Sequence, residues 1–193
     1  MDKRSFFAMK KIPNLGLIVA LLVTDAWSQA AKPAAPGLAI VQLASVVSGI
    51  VSYTRWPSAP HPIRLCVLGH PSLLEQLSLI GPPEPGQRSV KVQSIQANED
   101  VLRLCDAVYV SAIPPENARL LLRQVVGTQV LTVGEGAEFC SDGGMFCMEF
   151  SEKPLAQPTA QRFSANLDAI SRSGLRVNPQ VLRLARAPKV PAP

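Results

Sequence analysis

The sequence predicts an α/β fold in a single domain, with a largely parallel sheet covered by helices on both faces and two disulfides. Three observations predict it. Short apolar runs alternate with segments of helical spacing in the order β-α-β-β-α-β, which favours parallel strands. Of the 193 residues, 47% are hydrophobic and only 17% are charged, so a substantial core can be buried. The four cysteines form an even set.

The first residues have the pattern of a secretory signal peptide. Basic residues precede the apolar run LGLIVALLV, and small and polar residues follow it. This run is shorter than a membrane-spanning helix, which needs roughly 20 residues. We predict a signal peptide over residues 1–30, cleaved after Ser28 or Ala30, and a periplasmic domain over 31–193 with a frayed Pro-rich end at 189–193. An uncleaved membrane anchor is the alternative, and the absence of cysteine at the cut disfavours a lipoprotein.

Charge gives little indication of a partner. The formal net charge of the whole chain is +5, and it falls to +3 without residues 1–28, which hold four Lys or Arg and two Asp or Glu. No basic block remains that would indicate nucleic-acid binding. The domain is therefore expected to be mildly basic and to bind no nucleic acid.

The elements of the domain follow in order. Apolar residues at helical spacing run from Leu38 to Trp56, and this helix ends before Pro57. IRLCVLG then predicts a buried strand, and PSLLEQLSLI predicts a helix that begins at Pro71 and ends at Gly81. Strands are predicted in RSVKVQSI, VLRLCDAVYVS, TQVLTVG and GMFCMEF, and a helix in IPPENARLLLRQVV. The tail predicts a strand, a short helix stopped at Gly174, and a terminal helix.

The cysteines of an exported protein are expected to be oxidised. Cys140 and Cys147 flank the turn signal SDGGMF, which returns the chain and brings the two sulfurs together. Exclusion then pairs Cys66 with Cys105, in two runs that read as neighbouring strands. Zinc would favour close C-x-x-C pairs, which are absent.

No pattern of catalytic residues emerges. The glycines of GEGAEFCSDGGMFCMEF lack the spacing of a phosphate-binding loop and lead into a strand. His61 and His70 neighbour no nucleophile and are typical of surface or helix-end positions, although a flavodoxin-like strand order would place His70 where such folds bind ligands. We therefore expect no enzyme, cofactor or metal site.

Three segments carry a resemblance to a known family. SYTRWP after the first helix, FCSDGGMFCMEF, and the tail NLDAISRSGLRVNPQVLRLA resemble the YfiR family of periplasmic proteins (YfiR/HmsC-like). The resemblance implies a non-enzymatic repressor that holds the periplasmic domain of a YfiN-type diguanylate cyclase. It also implies a YfiB-type outer-membrane lipoprotein that removes the repressor, an α/β monomer that can form a homodimer, and the disulfide pairs above.

The resemblance extends to basic residues that contact ligands or partners. Arg55 in TRWP and Arg176 in GLRVNP match the motif, and we expect their guanidinium groups to converge. Asn178 occupies a position where some relatives have histidine, so the resemblance does not extend to a contact that needs an imidazole. The alternative for Arg55 is an exposed residue at a helix end. Candidate partner surfaces are the helix Leu38–Tyr53 and the segment Val181–Leu184.

Three hypotheses about function follow. The first is a periplasmic regulatory protein that represses a diguanylate cyclase and so lowers cyclic-di-GMP and biofilm formation. The second is a periplasmic solute-sensing domain that serves a histidine kinase or a transporter. The third is a hydrolase without a recognisable motif. The resemblance, the predicted export and the lack of catalytic groups favour the first.

Overall fold

The computed structural model describes residues 37–80, 88–150 and 162–185. The predicted signal peptide over 1–30 and the frayed end at 189–193 lie outside the described residues. Helices α1 to α6 span Leu38–Tyr53, Pro71–Ser78, Val101–Leu104, Pro115–Val125, Ala137–Ser141 and Leu167–Ser173, and a 3₁₀ helix spans Pro179–Ala185. Strands β1 to β8 span Thr54–Arg55, Ile63–Leu68, Val90–Ser94, Ala107–Val110, Leu131–Glu135, Phe146–Glu149, Arg162–Ala165 and Arg176–Val177.

Six of the strands form one sheet in the order β3-β2-β4-β5-β6-β7. The first five are parallel to one another, and β7 pairs antiparallel with β6 at the edge. The remaining two strands, β1 and β8, form a separate antiparallel pair. This arrangement confirms the predicted α/β class with a largely parallel sheet.

Both faces of the six-stranded sheet are covered, as continuous apolar strands require. Leu65, Tyr109 and Val133 belong to the cluster that includes α1 and α2. Their neighbours in sequence, such as Cys66 and Val108, belong to a second cluster with α3 and α4 on the opposite face. Successive residues of a strand point to opposite faces, so each central strand contributes to both clusters.

Side chains cap the amino ends of two helices, α2 and α6. His70 caps α2, where its Nδ1 accepts a hydrogen bond from the Leu73 N–H at 3.2 Å and Pro71 occupies the first turn. Asn166 caps α6 by accepting from the Ala169 N–H at 3.0 Å. The helix α6 ends at Gly174, whose φ of 75° is left-handed, so the predicted stop is confirmed.

Both predicted disulfides are confirmed. Cys66 in β2 is bonded to Cys105, and Cys140 in α5 is bonded to Cys147 in β6. The strand prediction around Cys105 was wrong in one respect, because Val101–Leu104 forms a helical turn and Cys105 lies between it and β4. Asp100 caps this turn by accepting from the Arg103 N–H, which favours helix over strand locally.

The structure differs from the expected elements in three further places. The segment Ala137–Ser141 forms the short helix α5 before the predicted turn, which lies at 142–143. The terminal helix is 3₁₀ rather than α, and the two-residue strands β1 and β8 were not expected. No helix within the described ranges combines the length and apolar character needed to cross a bilayer.

We expect the long-range disulfide to stabilise the fold more than the short-range one. Cys66 and Cys105 are 39 residues apart, whereas Cys140 and Cys147 are 7 apart. In the chain-entropy model, replacing the first pair by alanine should lower the free energy of unfolding by about 4 kcal/mol, and replacing the second by about 2.5 kcal/mol. Urea unfolding of the two double variants measures both losses. A larger loss from the short-range pair would contradict this ranking.

We expect Gly69 to tolerate no side chain. Its φ is +80°, and an added Cβ would lie 1.8 Å from the backbone oxygen of Ser111. Gly127 is the matched control, because its φ is +72° and a Cβ there would meet nothing within 4 Å. Gly127→Ala should cost about 1–2 kcal/mol from backbone strain alone, and Gly69→Ala should cost clearly more. Thermal unfolding of the two variants measures the difference. Equal melting temperatures would contradict the close contact between the loop after β2, which contains Gly69, and the loop after β4, which contains Ser111.

Candidate functional site

Strands β1 and β8 bring the two predicted arginines together. Arg55 lies directly opposite Arg176 in the antiparallel register. Residues so paired extend from the same face of the strands, with Cβ atoms about 4.5–5.5 Å apart. Positions separated by 121 residues in sequence therefore lie side by side. We call this pair, with Asn178, the arginine corner.

The local sequence explains why the arginines point outward. Thr54 and Val177 are also opposite each other, and Thr54 is completely buried, with its hydroxyl donating to the Ile50 oxygen at 2.8 Å. Because side chains alternate between faces, their neighbours Arg55 and Arg176 are exposed. One buried threonine thus sets the orientation of the pair.

The arginine corner carries positive charge that no carboxylate of the described segments compensates. Arg55 donates from Nη1 to the backbone oxygens of Ser52 and Thr54, at 2.6 and 3.1 Å. Neither Arg55 nor Arg176 forms an ion pair with a carboxylate in the part of the chain that the structure describes. Like charges placed directly opposite each other repel, so an anion or an acidic partner group would relieve an unfavourable arrangement.

Asn178 joins the same corner. Its backbone N–H donates to the Tyr53 oxygen at 2.9 Å, which extends the ladder by one step. Its side-chain oxygen accepts from the Gln180 N–H at 2.9 Å and so begins the 3₁₀ helix. The side chain is exposed, and this capping bond gives it a structural role that the sequence did not indicate.

The two predicted partner surfaces are only partly available. Most apolar residues of α1, such as Val47 and Ile50, are buried in the core, and Val181 is buried as well. The exposed large apolar residues of these segments are Leu38 and Val41 on α1 and Leu182 on the 3₁₀ helix. Leu182 follows Asn178 by four positions, so an apolar side chain lies near the arginine corner in sequence.

A second group of polar side chains lies at the carboxyl ends of the parallel strands. The buried Tyr109 of β4 donates its hydroxyl to Glu135 of β5 at 2.8 Å, and the His70 ring packs against Tyr109 with centroids 6.3 Å apart. Burial, with the nearby Glu135, raises the pKa of Tyr109 well above its ordinary value, so the phenol stays protonated and donates. The sequence singled out His70 but not Tyr109 or Glu135, whose meeting depends on strand order.

Among the described residues, no serine, threonine or cysteine side chain is hydrogen-bonded to His61 or His70. His61 is exposed, and His70 is a helix cap. Within residues 37–80, 88–150 and 162–185, no three His, Cys, Asp or Glu side chains are grouped as a metal site.

A family model described as YfiR/HmsC-like matches residues 42–186, about three quarters of the chain. The chain belongs to this family. The match includes all four cysteines, the arginine corner and the Tyr109–Glu135 pair. YfiR/HmsC-like proteins form a regulatory rather than a catalytic family.

We expect the arginine corner to bind anions. Inorganic phosphate, compared with chloride at equal ionic strength, should raise the melting temperature of the protein, because paired guanidinium groups bind its oxygens. Arg55→Gln and Arg176→Gln should each reduce the phosphate-induced rise in melting temperature. Arg176→Lys should retain only part of that rise, because lysine keeps the charge but lacks the paired donors of arginine. Arg123→Gln, which changes an exposed arginine on α4, should leave the shift unchanged. A phosphate effect that survives both corner substitutions would contradict this expectation.

Proposed function

We propose that this chain is a periplasmic regulatory protein that represses a YfiN-type diguanylate cyclase of the inner membrane. By binding the periplasmic domain of the cyclase, it would lower cyclic-di-GMP and biofilm formation. The observation that carries this proposal is membership of the YfiR/HmsC-like family over residues 42–186. A YfiB-type outer-membrane lipoprotein would remove the repressor, and the mature protein would begin near residue 31 and could form a homodimer.

The two disulfides support the proposed compartment. Structural disulfides persist in oxidising environments such as the periplasm and are rare in the cytosol. Each pair joins one strand of the main sheet to a segment outside it, and the Cys66 and Cys147 side chains in those strands are fully buried. Their formation would therefore be part of folding after export.

The arginine corner is the surface we propose for the partner. Interfaces combine apolar anchors with polar groups, and arginine is among the residues they favour. Arg55, Arg176 and Asn178 are exposed there, and Leu182 is 53% exposed on the adjoining 3₁₀ helix. Acidic groups of a partner domain would complement the positive charge of the two guanidinium groups.

Repression would follow from selective binding. A binding protein shifts its partner only by the difference in its affinity for the partner's two states. A preference of about 2.7 kcal/mol for the inactive cyclase would change the equilibrium about a hundredfold. No catalytic group is needed for this effect.

We expect deletion of the gene to raise cellular cyclic-di-GMP and surface attachment. Expression of the full chain should restore the low level. A version without residues 1–30 should not, because it would stay in the cytoplasm, where the periplasmic domain of the partner and oxidising conditions are absent. Cyclic-di-GMP is measured by mass spectrometry of cell extracts. An unchanged level in the deletion, in cells where a YfiN-type cyclase is expressed and active, would contradict repression.

A surface substitution separates binding from folding. Arg176→Glu should abolish repression because it places a negative charge where an acidic partner group would bind. Arg123→Glu on α4 is the matched charge reversal and should repress normally. Both variants must be secreted in equal amounts, as measured by immunoblot. Normal repression by Arg176→Glu would exclude the arginine corner as the partner surface. If deletion of the gene instead deregulates a histidine kinase or a transporter, the solute-sensing alternative would be favoured.

A further inference from the structure

A cleft of about 430 Å³ lies between the amino ends of α1 and α2. This volume is within the range of small-molecule sites, roughly 300–1,000 Å³. Residues from both helices line it, and Phe150, which follows β6, completes the wall. The cleft contains none of the residues of the arginine corner, so it is a separate feature.

The sheet topology places this cleft where open α/β folds bind ligands. In the order β3-β2-β4-β5-β6, the chain adds β3 on one side of β2 and then adds β4, β5 and β6 on the other side. The switch point therefore lies between β2 and β4, and such folds bind ligands there, outside the carboxyl ends of the strands. His70 lines the cleft and follows the carboxyl end of β2 by two residues. Tyr109 of β4 packs against the His70 ring and is itself anchored by Glu135 of β5. Three adjacent strands therefore support this wall of the cleft.

The two walls of the cleft differ in chemistry. The α1 wall is apolar and includes Ile40 and Leu43, with the half-exposed Phe150 ring beside them. The α2 wall carries Ser72, Glu75 and Gln76, which share one helix face because they are three and four positions apart.

Among the described residues that line the cleft, Glu75 is the only carboxylate, and none is a lysine or an arginine. Glu75 forms no ion pair or side-chain hydrogen bond with a residue in the described segments. The Nδ1 atom of His70 is occupied by the Leu73 N–H, which leaves Nε2 as the ring nitrogen available to a ligand. Within the described residues, the polar wall thus offers the Glu75 carboxylate, without an ion-pair partner, beside hydrogen-bonding groups.

We propose that this cleft binds a small organic amine, with its apolar body against Ile40 and Phe150 and its ammonium group at Glu75. The proposal does not depend on the identity of the protein partner. The helix α1 has 16 residues and is therefore about 24 Å long, with the cleft at its amino end and Arg55 just beyond its carboxyl end. Binding in the cleft can consequently be measured apart from binding at the arginine corner.

The test compares three probes that share one apolar body. Phenethylamine carries an ammonium group, 2-phenylethanol a neutral hydroxyl, and phenylacetate a carboxylate. Each is titrated into purified, disulfide-bonded, ¹⁵N-labelled protein, and backbone amide shifts are followed by NMR. Phenethylamine should give saturable shifts at Ile40, Ser72 and Gln76. The alcohol should bind the same residues about three- to fivefold more weakly, the difference expected of a solvent-accessible ion pair.

Two pairs of variants test the contacts. Glu75→Gln should reduce the affinity for phenethylamine to that for the alcohol, whereas Glu138→Gln, an exposed carboxylate on α5, should leave it unchanged. Ala39→Phe adds bulk at an exposed position that lines the cleft and should block both probes. Val41→Phe adds the same ring to the same helix outside the lining and should not.

Each outcome decides the proposal. Selective amine binding that is lost in Glu75→Gln and Ala39→Phe supports it. Equal affinity for amine and alcohol, or an amine affinity unchanged by Glu75→Gln, rejects the ammonium contact. The absence of saturable shifts at the cleft with any probe rejects the site. If phenylacetate shifts only the amides of Arg55 and Arg176, it binds at the arginine corner. That result, together with no amine binding at the cleft, would also overturn the proposal.

Discussion

The parallel pairing of β2 with β4 is the constraint on which the rest of the structure depends. It joins segments about 40 residues apart, and several interactions hold it in place. The Cys66–Cys105 bond links β2 to a residue two positions before β4. Arg64 binds the Asp106 carboxylate through a hydrogen-bonded ion pair and through its own backbone N–H. The Trp56 indole N–H donates to the backbone oxygen of Asp106 at 3.1 Å, which ties the segment after α1 to the same residue.

This pairing also decides where polar groups meet. Because β4 lies beside β2 rather than beside β3, the carboxyl ends of β2, β4 and β5 are neighbours. Tyr109, Glu135 and His70 meet there, and the close approach of Gly69 to Ser111 leaves no space for a side chain between the two loops. The cleft beside His70 is thus a product of strand order, and α1 connects it to the arginine corner at the other end of the helix.

The arginine corner illustrates how far sequence patterns reach. The motifs TRWP and GLRVNP singled out Arg55 and Arg176, and the structure places them opposite each other. The two-residue strands that carry them were not predicted, because two residues show no periodicity from which a strand could be recognised. The buried Thr54 that turns Arg55 outward gave no signal either, since its burial depends on the elements packed around it. Likewise Val181, which the sequence offered as a partner contact, is buried because the 3₁₀ helix packs against α1.

The sequence by itself determined the features that depend on neighbours along the chain. Apolar runs and helical spacing predicted most strands and helices, the left-handed end of α6 followed from Gly174, and the turn between Cys140 and Cys147 predicted their bond. Exclusion then supplied Cys66–Cys105. The tertiary structure decided what depends on distant segments: the order of the strands, the meeting of His70 with Tyr109 and Glu135, the burial of Thr54, and the cleft between α1 and α2. Local sequence patterns indicate which face of a helix or strand is apolar, but they do not indicate which other element packs against it. A binding site is formed by the way in which distant elements pack together, so it depends on the tertiary structure.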